Sequence, residues 1–390
     1  MSALVCHTRR TRQKAISKTK FLAQITRTTL YNFHNMSSSK ERRTTLLESL
    51  PWVEHPLISS APMSGFATNE LAVAVSQAEG LGQIGFTGSP GMLQRELEQA
   101  KQKLHGTSIF DKTSKVLPVG VGIIAFGGPA SPWTQTFAKY RPAMVWLSFG
   151  TDNEFKSWSE NIRAVSPDTK VWIQVGSVKA ALEAATSCAP DALVLQGCDA
   201  GGHGHKHGAS IVTLIPEALD ALHEQGLSSI PLIAAGGIMD KRSVAAAIAL
   251  GASGVVMGTR FLACQEIEVA DEVVDECLAA RDGGEATVRS RVFDDIWGRN
   301  FWPDMYDGRC LRNAMYDNVE EGGMSIQEAR LALSTRNRGE GGSESVVRDS
   351  YTIWAGTGVG MLKKKEKAVG IVKQIREETK SLIECMGGEI

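Results

Sequence analysis

From Pro56 onward, short apolar runs alternate with segments whose apolar residues recur every three or four positions. The periodic segments are predicted as helices, over Thr68–Glu79, Met92–Leu104, Val178–Thr186, Ile215–Gln225 and Lys241–Leu250. The apolar runs are predicted as buried strands of a parallel sheet, over Leu57–Ala61, Gln83–Phe86, Leu117–Ile124, Met144–Leu147, Val171–Val175, Ala192–Leu195, Pro231–Ala235 and Gly254–Met257. Eight such alternations within about 200 residues predict an α/β fold, a (β/α)₈ TIM barrel.

A doubly wound sheet is the alternative architecture for alternating strands and helices. That fold is expected to carry a GxGxxG turn after its first strand. Here the first predicted strand ends in Ala61–Gly65, which reads APMSG and contains no such fingerprint. A proline at this point stiffens the turn at the strand's C-terminal end, which in a barrel is the active-site rim. The sequence therefore favours the barrel.

The periodicity changes after the eighth predicted strand. Residues Asp275–Arg312 carry several aromatic side chains among Arg and Asp, and we expect them to form a lid over the barrel mouth. Phe301 and Trp302 in this segment, and Trp354 further along the chain, either line an apolar pocket or pack the lid on the barrel, and packing is the default. The chain is predicted to divide into a basic leader (1–45), the barrel (46–265), a lid subdomain (266–345), and a C-terminal return segment with a charged helix at Lys363–Cys385 (346–390).

The segment Met1–Lys40 contains eight basic residues and no acidic one. An Arg- and Ser-rich, acid-poor composition is typical of an organelle transit peptide, which would indicate a mitochondrial location. A disordered leader, or translation that begins near Met36, would indicate the cytoplasm instead. The sequence favours the second interpretation because composition alone is a weak signal.

Composition excludes several classes of partner. The 42 basic and 43 acidic residues give a net charge of −1, too small a field to hold nucleic acid or an anionic membrane. No stretch approaches the roughly 20 apolar residues of a membrane helix. The seven cysteines are scattered without a CxxC pair, which favours a reducing compartment and no metal site. We therefore expect a small-molecule enzyme, and the sequence leaves its oligomeric state, including a homo-oligomer, open.

Glycines follow the seventh and eighth predicted strands, where barrel enzymes commonly bind a phosphate. Their backbone N–H groups can approach an oxyanion, and the N-terminus of the next helix adds its positive dipole end. The same glycines would serve tight βα turns in any barrel. Two such turns at adjacent strands favour a phosphate site formed by Gly236, Gly237, Val256, Met257, Gly258 and Thr259.

A glycine- and histidine-rich loop, Gln196–Gly208, follows the sixth predicted strand. Its glycines, Gly201 among them, let the main chain lie flat against a planar ligand, and the Gln196 amide can donate and accept at a heterocycle edge. An imidazole is well suited to take a proton near neutral pH, so His203 is the predicted catalytic base. Alternation with His205 and His207 also allows a metal site, or a loop with no role. We assign no metal ligand, because three histidines on one extended strand lack a carboxylate or cysteine partner.

These motifs resemble the nitronate monooxygenase family, formerly called 2-nitropropane dioxygenases. The resemblance is carried by Ala61–Gly65, Gln196–His203, Ala234–Ile238 and Met257–Phe261, and in the predicted lid and return segment by Thr287–Phe293, Trp302–Arg309 and Trp354–Gly358. It implies a TIM barrel with non-covalent FMN that oxidises alkyl nitronates, and neutral nitroalkanes where a base is present, with O₂ to a carbonyl compound and nitrite, a detoxifying reaction.

The resemblance also implies roles for individual residues. His203 matches the family's catalytic base, and Gln196 and Gly201 match positions that contact FMN. Gly237 and the run from Val256 to Thr259 match the phosphate-holding positions. Pro62 and Met63 match the turn beside the flavin ring.

The chain departs from the family pattern at three positions. Gly122 stands where many bacterial members have Asn, Thr357 where Gln is common, and Asp199 where Glu is common. These departures would change how a substrate is held without removing the flavin. An FMN-dependent NAD(P)H enoyl-thioester reductase shares the glycine–histidine loop and stays an alternative. A catalytically silent flavin-binding protein is the second alternative, and the physiological substrate stays open.

Overall fold

The computed structural model describes residues 41–113, 115–336 and 352–389. The basic leader Met1–Lys40 and most of the polar stretch before residue 352 lie outside the described residues. Within the described ranges, no helix combines the length and the apolar character that a bilayer crossing requires.

Eight parallel strands form the predicted barrel. They are β1 (Leu57–Ser60), β2 (Gln83–Ile84), β3 (Leu117–Ile124), β4 (Pro142–Ser148), β5 (Lys170–Val175), β6 (Ala192–Gln196), β8 (Leu232–Ala235) and β9 (Gly254–Met257). Neighbouring strands pair in sequence order, β9 returns to β1, and a parallel bridge between Ser59 and Leu81 joins β1 to the chain before β2. The TIM barrel is thereby confirmed.

Helices surround the barrel strands. They begin with α1 (41–49) and continue with α2 (Asn69–Gln77), α3 (Pro90–Leu104), α4 (Ser108–Asp111), α5 (Thr134–Tyr140), α6 (Asp152–Val165), α7 (Val178–Cys188), α8 (Ile211–Glu224) and α9 (Lys241–Ala249). Several begin at side-chain caps, such as Ser177 before α7 and Thr151 before α6, which satisfy orphan N–H groups. The apolar stripes of the helices and the strand residues form one continuous core.

A small antiparallel sheet stands over the barrel mouth, and it corrects one expectation. The predicted loop Gln196–Gly208 contains a strand, β7 (Gly202–His205), which pairs with β11 (Tyr306–Leu311), and β11 pairs with β10 (Thr287–Ser290). The remaining helices of this region are α10 (Asp271–Ala279), α11 (Gly283–Ala286), α12 (Val292–Asp295), α13 (Ala314–Glu320) and α14 (Ile326–Arg336). The sequence missed β7 because its partner strand lies about a hundred residues further along the chain.

The C-terminal helix α15 (Ala368–Glu389) starts five residues later than predicted from the charge pattern. The residues before it pair with the barrel instead: Glu366 bridges to Cys264, and the Ala368 N–H donates to the Glu266 carboxylate at 2.8 Å. These contacts decide where the helix begins. From there α15 packs against α9 and α2.

Candidate active site

A cavity of about 420 Å³ opens at the C-terminal ends of the barrel strands, under the small sheet. Among the predicted site residues, those that line it are Pro62, Met63, Gln196, Gly201, His203, Gly236, Gly237, Val256, Gly258 and Thr259. Met257 is fully buried outside the cavity wall, where its carbonyl accepts the Ala61 N–H at 2.9 Å. The structure thus brings the predicted residues together around one space, with Met257 as the exception.

The glycines after β8 and β9 form one corner of this cavity. Gly236 and Gly237 have positive φ angles of 103° and 72°, which glycine adopts without strain. Within the described residues, the backbone N–H groups of Gly237, Gly258 and Thr259 have no hydrogen-bond acceptor. The Thr259 hydroxyl accepts the Gly356 N–H at 2.9 Å, so its own proton stays available. This corner presents donors without partners, as an anion site requires.

The helix after β8 adds nothing to that corner, which corrects the expectation that its N-terminus is free for an anion. Asp240 caps α9, and its carboxylate accepts the N–H groups of Arg242 at 2.9 Å and Ser243 at 3.4 Å. A carboxylate already occupies the positive end of the helix dipole. The donors therefore come from the glycine turns alone.

The Gln196 amide takes part in a chain of side-chain hydrogen bonds. Trp146 Nε1 donates to Gln174 Oε1 at 3.1 Å, and Gln174 Nε2 donates to Gln196 Oε1 at 3.0 Å. Gln196 Nε2 in turn donates to the His203 carbonyl at 3.0 Å. The chain fixes the amide orientation and holds β7 over β6. One N–H of Gln196 then remains for a ligand in the cavity.

Aromatic side chains enclose the His203 imidazole. The Trp302 ring stacks on it, with ring centroids 3.6 Å apart and an interplanar angle of 10°. The centroid of the Trp354 ring lies 4.5 Å from that of the imidazole. Phe149 approaches edge-on at 6.3 Å. Trp302 and Trp354 also line the cavity, so the default that these two residues only pack the lid is wrong. The imidazole is 13% exposed and has little freedom to rotate.

The Asp294 carboxylate on α12 contacts His203 directly. Both carboxylate oxygens lie near His203 Nε2, at 2.9 and 3.1 Å, and the Asp294 side chain is 12% exposed. Sequence reasoning missed Asp294, although it follows Phe293 in a segment that carried the family resemblance. The signal was present, but nothing in the sequence says that a residue 91 positions away meets the histidine.

The other two histidines of the loop are separated from the cavity. His205 packs edge-on against Tyr306 with centroids 5.2 Å apart, and burial next to Arg289 lowers the pKa of its imidazole. His207 is exposed. In the three described ranges, no group of three His, Cys, Asp or Glu side chains is placed to hold a metal ion.

The return segment presses against the loop before β7. A Cβ added at Gly201 would lie 2.4 Å from the Ala355 carbonyl carbon, and one at Gly356 would lie 2.4 Å from the Asp199 carbonyl oxygen. The Thr357 hydroxyl donates to Asp199 Oδ1 at 3.2 Å. Two of the departures from the family pattern, Asp199 and Thr357, therefore contact each other. The missing side chain at Gly201 makes room for this segment.

The third departure, Gly122, also has a steric reason. A Cβ added at this position would lie 2.5 Å from the Pro62 Cβ. Pro62 follows β1, Gly122 lies on β3, and both line the cavity. An asparagine at position 122 would clash with Pro62, so this wall is apolar here.

The family model and the similar proteins of known name both indicate nitronate monooxygenases. The sequence model of the nitronate monooxygenase family matches residues 45–378. A nitronate monooxygenase of Metarhizium robertsii is 38% identical over 348 residues, which are 88% of this chain and 96% of that protein. A nitronate monooxygenase of Neurospora crassa is 35% identical over 381 residues, with 90% and 98% covered.

Among solved structures, FabK from Thermotoga maritima resembles this chain with a TM-score of 0.66 and 27% identity. The match covers 88% of this chain and 98% of that one.

Proposed function

Because this chain belongs to the nitronate monooxygenase family, we propose that it uses FMN to oxidise alkyl nitronates with O₂ to a carbonyl compound and nitrite. Membership makes it an oxidoreductase and a flavoenzyme acting on a small molecule. The observation that carries the assignment of this site is the cavity at the barrel mouth, which combines donors without partners at one end with an enclosed imidazole at the other.

The residues present fit FMN. The N–H groups of Gly237 and Gly258 with the Thr259 hydroxyl would hold the phosphate. Gly258 leaves space there, since a Cβ at this position would meet only Ala61 at 3.5 Å and Met63 at 3.9 Å. Electron acceptance and the reaction with O₂ belong to the chemistry of the bound flavin. The protein supplies orientation and electrostatics.

The substrate side would be formed by His203, Gln196 and the aromatic walls. A nitronate is anionic, so the free N–H of Gln196 can donate to its oxygens. Trp302 and Trp354 line the cavity and would shield the reacting carbon from water. For a neutral nitroalkane, His203 would take the acidic C–H proton, which requires an unprotonated ring nitrogen within hydrogen-bonding reach.

A spectrum of the purified protein followed by anaerobic mixing tests this function. We expect a flavin spectrum that ethylnitronate bleaches and NADPH does not, with oxygen consumed when air is admitted. Bleaching by NADPH alone would instead indicate the enoyl-thioester reductase. A yellow protein that consumes no oxygen with nitronates would indicate the silent flavin protein. A colourless protein that does not take up FMN would contradict all three.

A further inference from the structure

We infer that Asp294 is a positioning residue that holds His203 as the Nε2–H tautomer, so that Nδ1 is the nitrogen that accepts the substrate proton. The inference rests on the proposed function, in which His203 is the base. It adds a residue from the lid, 91 positions away in the chain, to a site otherwise formed at the barrel mouth.

The geometry brings one ring nitrogen to two carboxylate oxygens. Nε2 of His203 lies 2.9 Å from Oδ1 and 3.1 Å from Oδ2 of Asp294, and both side chains are about nine-tenths buried. Stacking on Trp302 fixes the plane of the imidazole. The carboxylate fixes its rotation within that plane.

The carboxylate has no competing cation. Within the described ranges, the Asp294 carboxylate forms no ion pair with Lys or Arg, and its side-chain partner there is His203. The charged pair nearby, Arg289 on β10 with Asp307 on β11, is satisfied within itself. The neighbouring Asp295 accepts a hydrogen bond from Asn300 at 2.9 Å and does not reach the imidazole. Asp294 is thus directed to the histidine.

An ionised carboxylate only accepts hydrogen bonds, so Nε2 must carry the proton between the two residues. Nδ1 makes no hydrogen bond within the described part of the chain and keeps its lone pair. When the α C–H bond of a nitroalkane breaks, its proton forms the N–H bond on Nδ1. The electron pair stays on the substrate as the nitronate anion. Asp294 compensates the charge that the imidazole acquires, as the buried aspartate of a hydrolase triad does.

A purely structural role for Asp294 would be to hold α12 against β7. Such a role predicts equal losses for every substrate, because the whole site would loosen. The positioning role predicts a loss restricted to substrates that must give up a proton. A nitronate has already lost that proton, so a nitronate and its parent nitroalkane separate the two roles.

The kinetic test compares the holoenzyme with Asp294→Asn, with His203→Asn as reference and Asp295→Asn as matched control. We expect Asp294→Asn to lower kcat/KM for nitroethane by about 10²–10⁴-fold, while kcat/KM for ethylnitronate changes by less than about tenfold. The control should leave both rates and the flavin content unchanged. Equal losses for both substrates in Asp294→Asn, or no loss for nitroethane, would overturn the inference.

A spectroscopic test does not depend on turnover. In protein labelled with ¹⁵N-histidine, the signals of His203 are assigned by their loss in His203→Asn. We expect a protonated Nε2 and an unprotonated Nδ1 in the wild type, and a mixture of tautomers in Asp294→Ala. A mixture or a protonated Nδ1 in the wild type would refute the role of Asp294. If the wild type oxidised no nitronate, the proposed function would fail while this measurement still decided the tautomer.

Discussion

His203 and His205 lie two residues apart on β7 and meet different neighbours. His203 contacts the Asp294 carboxylate, whereas His205 is half-buried near the Arg289 guanidinium, and this burial, together with that cation, lowers the pKa of its ring. The same residue type therefore serves as a candidate base at one position and as a neutral packing group at the other. The two rings differ in the charged side chain beside them, which is Asp294 at His203 and Arg289 at His205.

The lowered pKa of His205 predicts acid-sensitive stability. The unfolded histidine titrates near pH 6.5, so below about that pH the unfolded state binds more protons than the folded state, and the free energy of unfolding falls. Replacing His205 by Gln should make this fall shallower, as measured by urea unfolding at a series of pH values. His207→Gln, at an exposed position, should keep the wild-type slope. An unchanged slope in His205→Gln would show that burial does not suppress its protonation.

At the scale of elements, the site is completed by two segments that follow the barrel in the chain. β11 pairs with β7 so that Gly308 lies opposite His203, and a Cβ at Gly308 would meet the Trp354 ring at 2.2 Å. The Trp354 ring can therefore lie flat on this strand and reach the imidazole. The return segment, in turn, packs its backbone on the loop that contains Asp199 and Gly201. The barrel forms one side of the cavity, and these segments close the other side.

A methyl group added at Gly356 should separate the return segment from the loop that contains Asp199 and Gly201. A Cβ in Gly356→Ala would lie 2.4 Å from the Asp199 carbonyl oxygen, at a residue whose φ of −86° is unstrained, so the effect is purely steric. We expect a loss of about 1–3 kcal/mol in the free energy of unfolding and weaker retention of flavin on gel filtration. Gly370→Ala on α15, where a Cβ meets nothing within 4 Å, is the control and should not destabilise. Full flavin retention in Gly356→Ala would argue against a role of this packing in the site.

At the scale of the whole molecule, the C-terminal helix α15 contacts the first part of the barrel, at the end of α2. Arg376 on α15 is 1% exposed and donates to the Ala78 and Glu79 carbonyls at the end of α2, each at 2.8 Å. Charge-assisted bonds of this kind are among the stronger hydrogen bonds. The guanidinium thereby gives the Ala78 carbonyl a partner at the helix end, and it adds a second donor to the Glu79 carbonyl, which also accepts the Glu54 N–H at 2.9 Å.

Arg376→Met should therefore destabilise the whole barrel. It removes both hydrogen bonds and leaves the Ala78 carbonyl unpaired, whereas the Glu79 carbonyl keeps the Glu54 N–H, so we expect a loss of about 1–3 kcal/mol in the free energy of unfolding. Denaturant unfolding measures it, with Lys373→Met on the exposed face of α15 as the matched control, expected within about 0.5 kcal/mol of wild type. Similar free energies of unfolding for both variants would show that the hydrogen bonds of Arg376 do not stabilise the barrel.

The sequence by itself determined the barrel, the bounds of β3 and β9, and ten of the residues that line the cavity, from Pro62 to Thr259. Apolar runs, helical spacing and glycine turns are local signals, and a barrel places every strand end at one rim. Only the tertiary structure decided that a glycine- and histidine-rich run is a strand, and that Asp294 reaches His203. Both depend on partners about a hundred residues away, whose approach is set by packing and by no local pattern.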